Sequence, residues 1–190
     1  MHTIRLATPA DAAACLEIYR PMIEQTAISF ETVVPTADEF AARIHTTLAT
    51  HPWIVCEVDA AVTGYAYAGL HRGRTAYQWS TEVSLYVDEA HRRAGQGRVL
   101  YARLFDALRV QGFANAYAGI TLPNPTSVGF HESMGFVPVG VFKCIGFKFG
   151  RWHDTGWWQL RLREDDAPRP PRLLPLCRDE VAGVLTGSSD

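Results

Sequence analysis

The sequence predicts an α/β domain built on a mixed sheet flanked by helices. Three observations carry that expectation. Strand and helix patterns alternate in the order strand, two helices, three strands, helix, strand, helix, two strands. The middle of the chain reads strand, glycine turn, periodic helix, strand, which makes one crossover between parallel strands. Of 190 residues, 47% are apolar and 20% charged, a balance able to fill one core.

The elements follow in chain order. Ile4 to Ala7 opens as a short strand. Thr8-Pro9-Ala10-Asp11 starts a helix with a hydroxyl cap, proline in the first turn and an early acid. Cys15, Leu16, Tyr19, Met22 and Ile23 recur at helical spacing to about Glu24. Thr36 and Glu39 form a capping box for a second helix over roughly 37 to 49, which His51-Pro52 ends. Trp53 to Val58 and Val62 to Leu70 are strands joined at Asp59-Ala60-Ala61. After a polar loop, His71 to Tyr77, Ser80 to Val87 is the third strand of this group. A helix begins near Gly97 and stops at Gly112, which stands where a C′ glycine belongs. Ala114 to Leu122 is a strand, Asn124-Pro125 opens a short helix that Gly135 stops, and Phe136 to Val141 and about Gly156 to Arg163 are the last strands. From Glu164 on, Pro168, Pro170, Pro171 and Pro175 crowd a segment in which acids outnumber bases six to three. The expected organisation is one domain over 1–163 and a partly irregular Pro-rich tail over 164–190.

Composition removes several function classes. A net charge of −2 argues against a general nucleic-acid binder. No run of apolar residues is long enough for a membrane span, and Met1 to Ala7 lacks the pattern of a secretory signal. The four cysteines (Cys15, Cys56, Cys144 and Cys177) are far apart and form no CxxC pair. The seven histidines show no ligand spacing, and Gly135 stands where a second histidine after His131-Glu132 would complete HExxH. The expectation is a cytoplasmic protein with free thiols and no metal.

The most informative segment is Leu85 to Arg98, between a strand and the most periodic helix. Gly95 and Gly97 remove side chains where backbone amides converge, and the helix start adds unpaired N–H groups and the positive end of its dipole. From His91 to Phe113, five arginines (92, 93, 98, 103 and 109) face one acid, Asp106. That local positive field suits a phosphorylated small ligand. A Walker A loop is absent, and Leu100 stands where a Rossmann fingerprint needs its third glycine. An arginine-rich glycine turn without a ligand stays open at this point.

Arg92-x-x-Gly95-x-Gly97 after a strand resembles the Q/R-x-x-G-x-G/A signature of the GNAT superfamily of N-acetyltransferases. Asn124 to Phe136 (NPTSVGFHESMGF) resembles that family's second motif, with His131 where most members carry tyrosine. Thr81 to Val87, Phe130-His131-Glu132 and Gly146 to Asp154 are similar to the phosphinothricin and methionine sulfoximine/sulfone branch, which shares that histidine. Arg74, Tyr77 and Trp79 resemble its substrate-side loop, whereas His71 and Arg72 fit it less well. The resemblance spans about residues 2 to 163. It implies a GNAT-type fold with a mixed, mostly antiparallel twisted sheet, acetyl-CoA as co-substrate, and direct transfer to a small primary amine in a ternary complex. It also implies a homodimer.

The resemblance then distributes roles. Arg92, Arg93, Ala94, Gly95, Gln96, Gly97 and Arg98 wrap the pyrophosphate. Leu85, Tyr86 and Val87 bind the coenzyme like an added strand, with the Val87 amide near the carbonyl oxygen. Asn124 and Ser127 meet the pantetheine arm; Asn124 reads also as an Asx turn or helix cap before Pro125, and the two roles are compatible. Acetyl transfer needs an amine stripped of its proton, a polarised thioester carbonyl and a stabilised thiolate. Glu82 is the candidate base, or else the partner of an arginine such as Arg74. His131 is the candidate acid, or else a helix histidine bonded to a backbone carbonyl. Phe30, Glu31, Arg72, Arg74, Tyr77 and Lys148 are the candidate substrate contacts, with Glu31 placed to hold an ammonium. Two rivals remain: the same fold acting on a peptide N-terminus or a drug, and a CoA-binding module without turnover.

Overall fold

The computed structural model describes residues 3–163, 172–176 and 179–186. Its order is β1 (Thr3–Leu6), α1 (Ala12–Glu24), α2 (Ala37–Leu48), β2 (Trp53–Val58), β3 (Ala61–Leu70), β4 (Ser80–Val87), α3 (Gln96–Gln111), β5 (Asn115–Leu122), α4 (Pro125–Ser133), β6 (Val137–Lys148), β7 (Arg151–Arg161) and α5 (Asp179–Thr186). The seven strands form one sheet in the order β1-β2-β3-β4-β5-β7-β6. Every neighbouring pair is antiparallel except β4 and β5.

The strands separate two cores by their two-residue period. On β2, Ile54 and Cys56 face α3 and join Leu100, Leu104 and Leu108. Trp53 and Val55 face the other way and join Leu16, Ile23, Phe40 and Ile44 from α1 and α2. Local signals start the helices. At α2, the Glu39 amide donates to Thr36 Oγ1 at 3.2 Å and the Thr36 amide to Glu39 Oε2 at 2.7 Å, the expected capping box. Before α1 a single 3-10 turn, Pro9–Asp11, intervenes, and Arg5 clamps the Asp11 carboxylate at 2.7 and 2.8 Å. Gly112 ends α3 at φ +95°, a left-handed conformation open to glycine at little cost.

Two regions differ from the sequence reading. The last two strands are a long hairpin, not two short strands: β6 and β7 run to a turn at Phe149 and Gly150, both with positive φ. Alternation is lost in β6 because nearly the whole strand is solvent-exposed, its register shifts twice, and Cys144 has φ +50°. The Pro-rich segment contains α5, whose Val181 and Leu185 are buried in the same core as α3, together with Leu176. Among the described residues no helix is long and apolar enough to cross a membrane.

Candidate active site

The site begins where the sheet opens. β4 and β5 pair only at Ser80↔Asn115, Thr81↔Ala116 and Glu82↔Tyr117; beyond those pairs the two parallel strands part. The Asp88 amide bonds to Thr63 O on the β3 side at 2.9 Å. Because backbone groups alternate along a strand, the Val83 C=O, both groups of Leu85 and the Val87 N–H point the other way, into the opening, past the last bridge at Glu82↔Tyr117. The fork therefore offers unpaired strand edge to any extended chain of amides that enters it. On its floor, Gly119 leaves room for the Trp157 indole, which a Cβ there would meet at 3.3 Å.

At the far end of β4 lies the glycine turn. Asp88 caps a 3-10 turn, Glu89–His91, and Arg92 Nε donates to Val87 O at 3.2 Å. Arg93 and Gly95 take positive φ, 64° and 81°, so the chain reverses into α3 with Gly95 as its N-cap. The Arg98 and Val99 amides bond back to Gly95 O, whereas the Gln96 and Gly97 amides, the first two of the helix, have no helical carbonyl to meet. Arg92, Arg93, Ala94, Gly95 and Arg98 are exposed around them. Gln96 behaves differently from the expectation. Its side chain is buried and accepts the Thr63 hydroxyl at 3.2 Å, which ties the turn to β3. Gly97 keeps α3 close to the fork, since a Cβ would stand 3.1 Å from Leu85 Cδ2 and 3.4 Å from Phe130 Cζ.

Glu82 occupies the last paired position of the fork. Its partner is a histidine, not Arg74: Glu82 Oε1 lies 3.1 Å from His71 Nδ1. His71 stacks on Tyr117, with centroids 4.5 Å apart and planes 11° apart, and meets Trp157 edge-on at 5.8 Å. Burial raises the Glu82 pKa, and the His71 hydrogen bond and charge and then Arg72 pull it partly back. Sequence reasoning missed His71 as a site residue. The available signal was the β3–β4 hairpin register, which pairs Gly69 with Glu82 and leaves His71 two residues away in the loop.

His131 sits in the core between α3 and α4. Its Nδ1 bonds to Ser127 O at 2.8 Å and its Nε2 lies 3.0 Å from the Tyr101 hydroxyl. Since Nδ1 must donate to the carbonyl, Nε2 accepts from Tyr101, and neither nitrogen is left to serve the opening. Burial lowers the His131 pKa. This is the helix histidine of the second alternative. Asn124 caps α4, its Oδ1 accepting the Ser127 amide at 3.1 Å, a role that leaves its side-chain NH2 out of the bond.

Two expected substrate contacts are already engaged. Lys148 is 5% exposed, and its ammonium donates to Ile23 O at 2.6 Å and Ser29 O at 2.7 Å. It holds the chain after α1 against the hairpin, with two of its three N–H donors spent on those carbonyls. Glu31 receives Arg43 through both oxygens, at 2.7 and 3.1 Å, and the Tyr19 hydroxyl at 3.1 Å. That neutralised pair rims a cavity of about 170 Å³ with Tyr19, Phe40, Trp53, Tyr65 and Tyr67. Phe30 lies across Gly146, where a Cβ would fall 2.4 Å from its ring. Arg72, Arg74 and Tyr77 are exposed on the loop between β3 and β4. Among the described residues no group of three or more His, Cys, Asp or Glu could hold a metal ion.

Comparison with known proteins shows the family. Residues 4–157 match the acetyltransferase (GNAT) domain family. The chain is 40% identical over 169 residues to a phosphinothricin N-acetyltransferase of Streptomyces viridochromogenes, covering 89% of this chain and 91% of that protein. It is 38% identical over 167 residues to an L-methionine sulfoximine/L-methionine sulfone acetyltransferase of Salmonella typhimurium, covering 87% and 98%. A crystal structure of a GNAT superfamily phosphinothricin acetyltransferase from Sinorhizobium meliloti with acetyl-CoA superposes with TM-score 0.84 at 35% identity, covering 90% and 93%.

Proposed function

This chain belongs to the GNAT family of acetyltransferases, and from that membership we propose that it transfers the acetyl group of acetyl-CoA to the primary amine of a small amino-acid-like acceptor. Phosphinothricin, methionine sulfoximine and methionine sulfone are the first acceptors to consider, because relatives at 38–40% identity bear those names. One observation carries the reading at the level of the site: an acid, Glu82, stands where the parallel pair opens, at the head of a strand edge that leads to a helix start whose free amides suit an anion.

The residues divide the work accordingly. Amides of Gln96 and Gly97, with Arg92, Arg93 and Arg98 around them, suit the diphosphate. The inward-facing groups of Leu85 and Val87 suit the amides of the pantetheine arm, and the Leu85 N–H, nearer Glu82 than the expected Val87 N–H, suits the thioester oxygen as charge develops there. Tyr86, between them, turns its backbone to β3 and packs its ring on Tyr19. Asn124 and Ser127 form the opposite wall as the start of α4. A thioester is attacked only by a neutral amine, so a basic charge is required beside the incoming ammonium. Glu82, made more basic by burial, supplies it. His131 enters as an anchor of α4, not as a donor to the thiolate, since both its nitrogens are engaged. On the acceptor side Arg72 and Arg74 replace Lys148 as the cations for a second anionic or polar group.

The test is thiol release from acetyl-CoA across a panel of primary amines. Turnover is expected on the amino-acid-like acceptors, and Glu82→Gln is expected to lower kcat by about 10²–10⁴-fold. Preference for a peptide N-terminus would move the substrate assignment. Coenzyme binding without thiol release would replace the enzyme reading with a binding module. The exposed apolar side chains of the last hairpin, among them Val139, Val141, Phe147 and Trp152, support pairing with a second copy. The use of acetyl-CoA supports a cytoplasmic location.

A further inference from the structure

We propose that Glu82 and His71 work as one acid–base unit, in which His71 Nε2 takes the proton from the acceptor's ammonium and the Glu82 carboxylate holds and charge-balances the ring. The inference rests on the transferase activity proposed above and adds a catalytic residue to it.

Three observations converge on the ring. Its Nδ1 is 3.1 Å from Glu82 Oε1, and an ionised carboxylate only accepts, so Nδ1 carries the hydrogen and Nε2 the lone pair. One face is covered by Tyr117, which lies flat against it, and Trp157 meets the ring edge-on. These contacts set its orientation, as a base that must meet a reacting nitrogen requires. Among the described residues Nε2 has no hydrogen-bond partner, whereas the buried imidazole of His131 has both nitrogens occupied.

The groups around the pair favour this division. Arg72 is the cation whose field acts on Glu82. Tyr67 on β3 faces the pair with its hydroxyl bonded to Ser84, and behind it Glu31 and Arg43 neutralise each other. Tyr117 on β5 and Trp157 on β7 add no net charge at neutral pH. An imidazolium formed at His71 is thus balanced by Glu82 and rests on the Tyr117 π face.

The step balances. The ammonium gives one proton to His71 Nε2 and becomes an amine. Its lone pair forms the C–N bond as the C–S bond breaks, and the nitrogen's second proton leaves with the sulfur as free thiol. His71 then returns its proton to solvent.

His71→Phe keeps a ring on Tyr117 and removes both nitrogens; His71→Asn is the polar alternative should the first misfold. Either is expected to lower kcat by about 10²-fold with the KM for acetyl-CoA unchanged, and to change the acidic limb of the pH profile of kcat/KM. In the Glu82→Gln background, the His71 change is expected to cost little more, because one unit is already broken. A loss under threefold with an unchanged pH profile overturns the proposal, as do independent, multiplying losses. A readout free of turnover separates this from failure of the function itself. The ¹⁵N spectrum of the His71 ring is expected to show the Nδ1–H tautomer in the wild type and to lose it in Glu82→Ala. The same tautomer in both overturns the unit even if the enzyme is active, and a wild type inert toward every amine overturns the function while this spectrum still reports on the pair.

Discussion

Lys148 illustrates how a single side chain can read one way in sequence and another in place. Beside Phe147 and Phe149 it resembles a cation waiting for an acidic substrate, yet it spans to the carbonyls of Ile23 and Ser29. Replacing it with methionine preserves much of the apolar stem and strands two carbonyls. We expect a loss of about 1–3 kcal/mol in denaturant unfolding, the usual penalty for buried groups left unpaired. The KM for the acceptor should rise, because the chain bearing Phe30 and Glu31 loses its tether, while the KM for acetyl-CoA stays put. A variant as stable as the wild type would show that the two carbonyls find other partners. His71 errs in the opposite direction: a loop histidine of no distinctive spacing, it is found only once the hairpin register brings it over Glu82.

At the scale of elements, legibility followed the strength of local chemistry. The strands Trp53–Val58 and Ser80–Val87 were readable to the residue because one face or both are buried and their ends carry turns. The capping box of α2 and the terminal glycine of α3 announced those helices. The β6–β7 hairpin was read far too short, since a strand with no core beneath it has no reason to alternate. The Glu82 position within its strand was plain, but its partner was not, because side-chain pairing across a loop is a tertiary fact. The turn before α3 was legible because its requirement is conformational. Gly95 stands at φ +81° with open space where a Cβ would lie, so a side chain meets no clash there, only an unfavourable backbone. Gly95→Val should therefore cost about 1–2 kcal/mol of stability. It should also weaken acetyl-CoA binding at least tenfold by calorimetry, with the acceptor's KM little changed. Unaltered coenzyme affinity would remove the turn from the binding site.

For the whole molecule, the sheet ends in a strand that presents apolar side chains to solvent instead of blunting its edge. Phe147 and Trp152 pack edge-on at 5.3 Å and are 58% and 61% exposed. A surface of that kind favours burial against a second copy, and the proposed pairing predicts a dimer by sedimentation at micromolar concentration. Phe147→Glu should shift the protein toward monomer, since a charge buried at such a contact is costly. A wild type that sediments as a monomer would leave the hairpin without that role. The same hairpin reaches Phe30 through Gly146, which joins a surface far from the coenzyme to the acceptor side.

The fork between β4 and β5 has one more consequence. Its two ends are pinned, at the Glu82–Tyr117 junction and at the Gly95 reversal, and β4 between them is a fixed length of backbone. The molecule thus carries a built-in gauge. Coenzyme analogues whose arm is one link longer or shorter would still seat their phosphates at one end, but would bring the acyl carbon to the wrong notch at the other. They should act as tight, unreactive occupants and not as poor substrates.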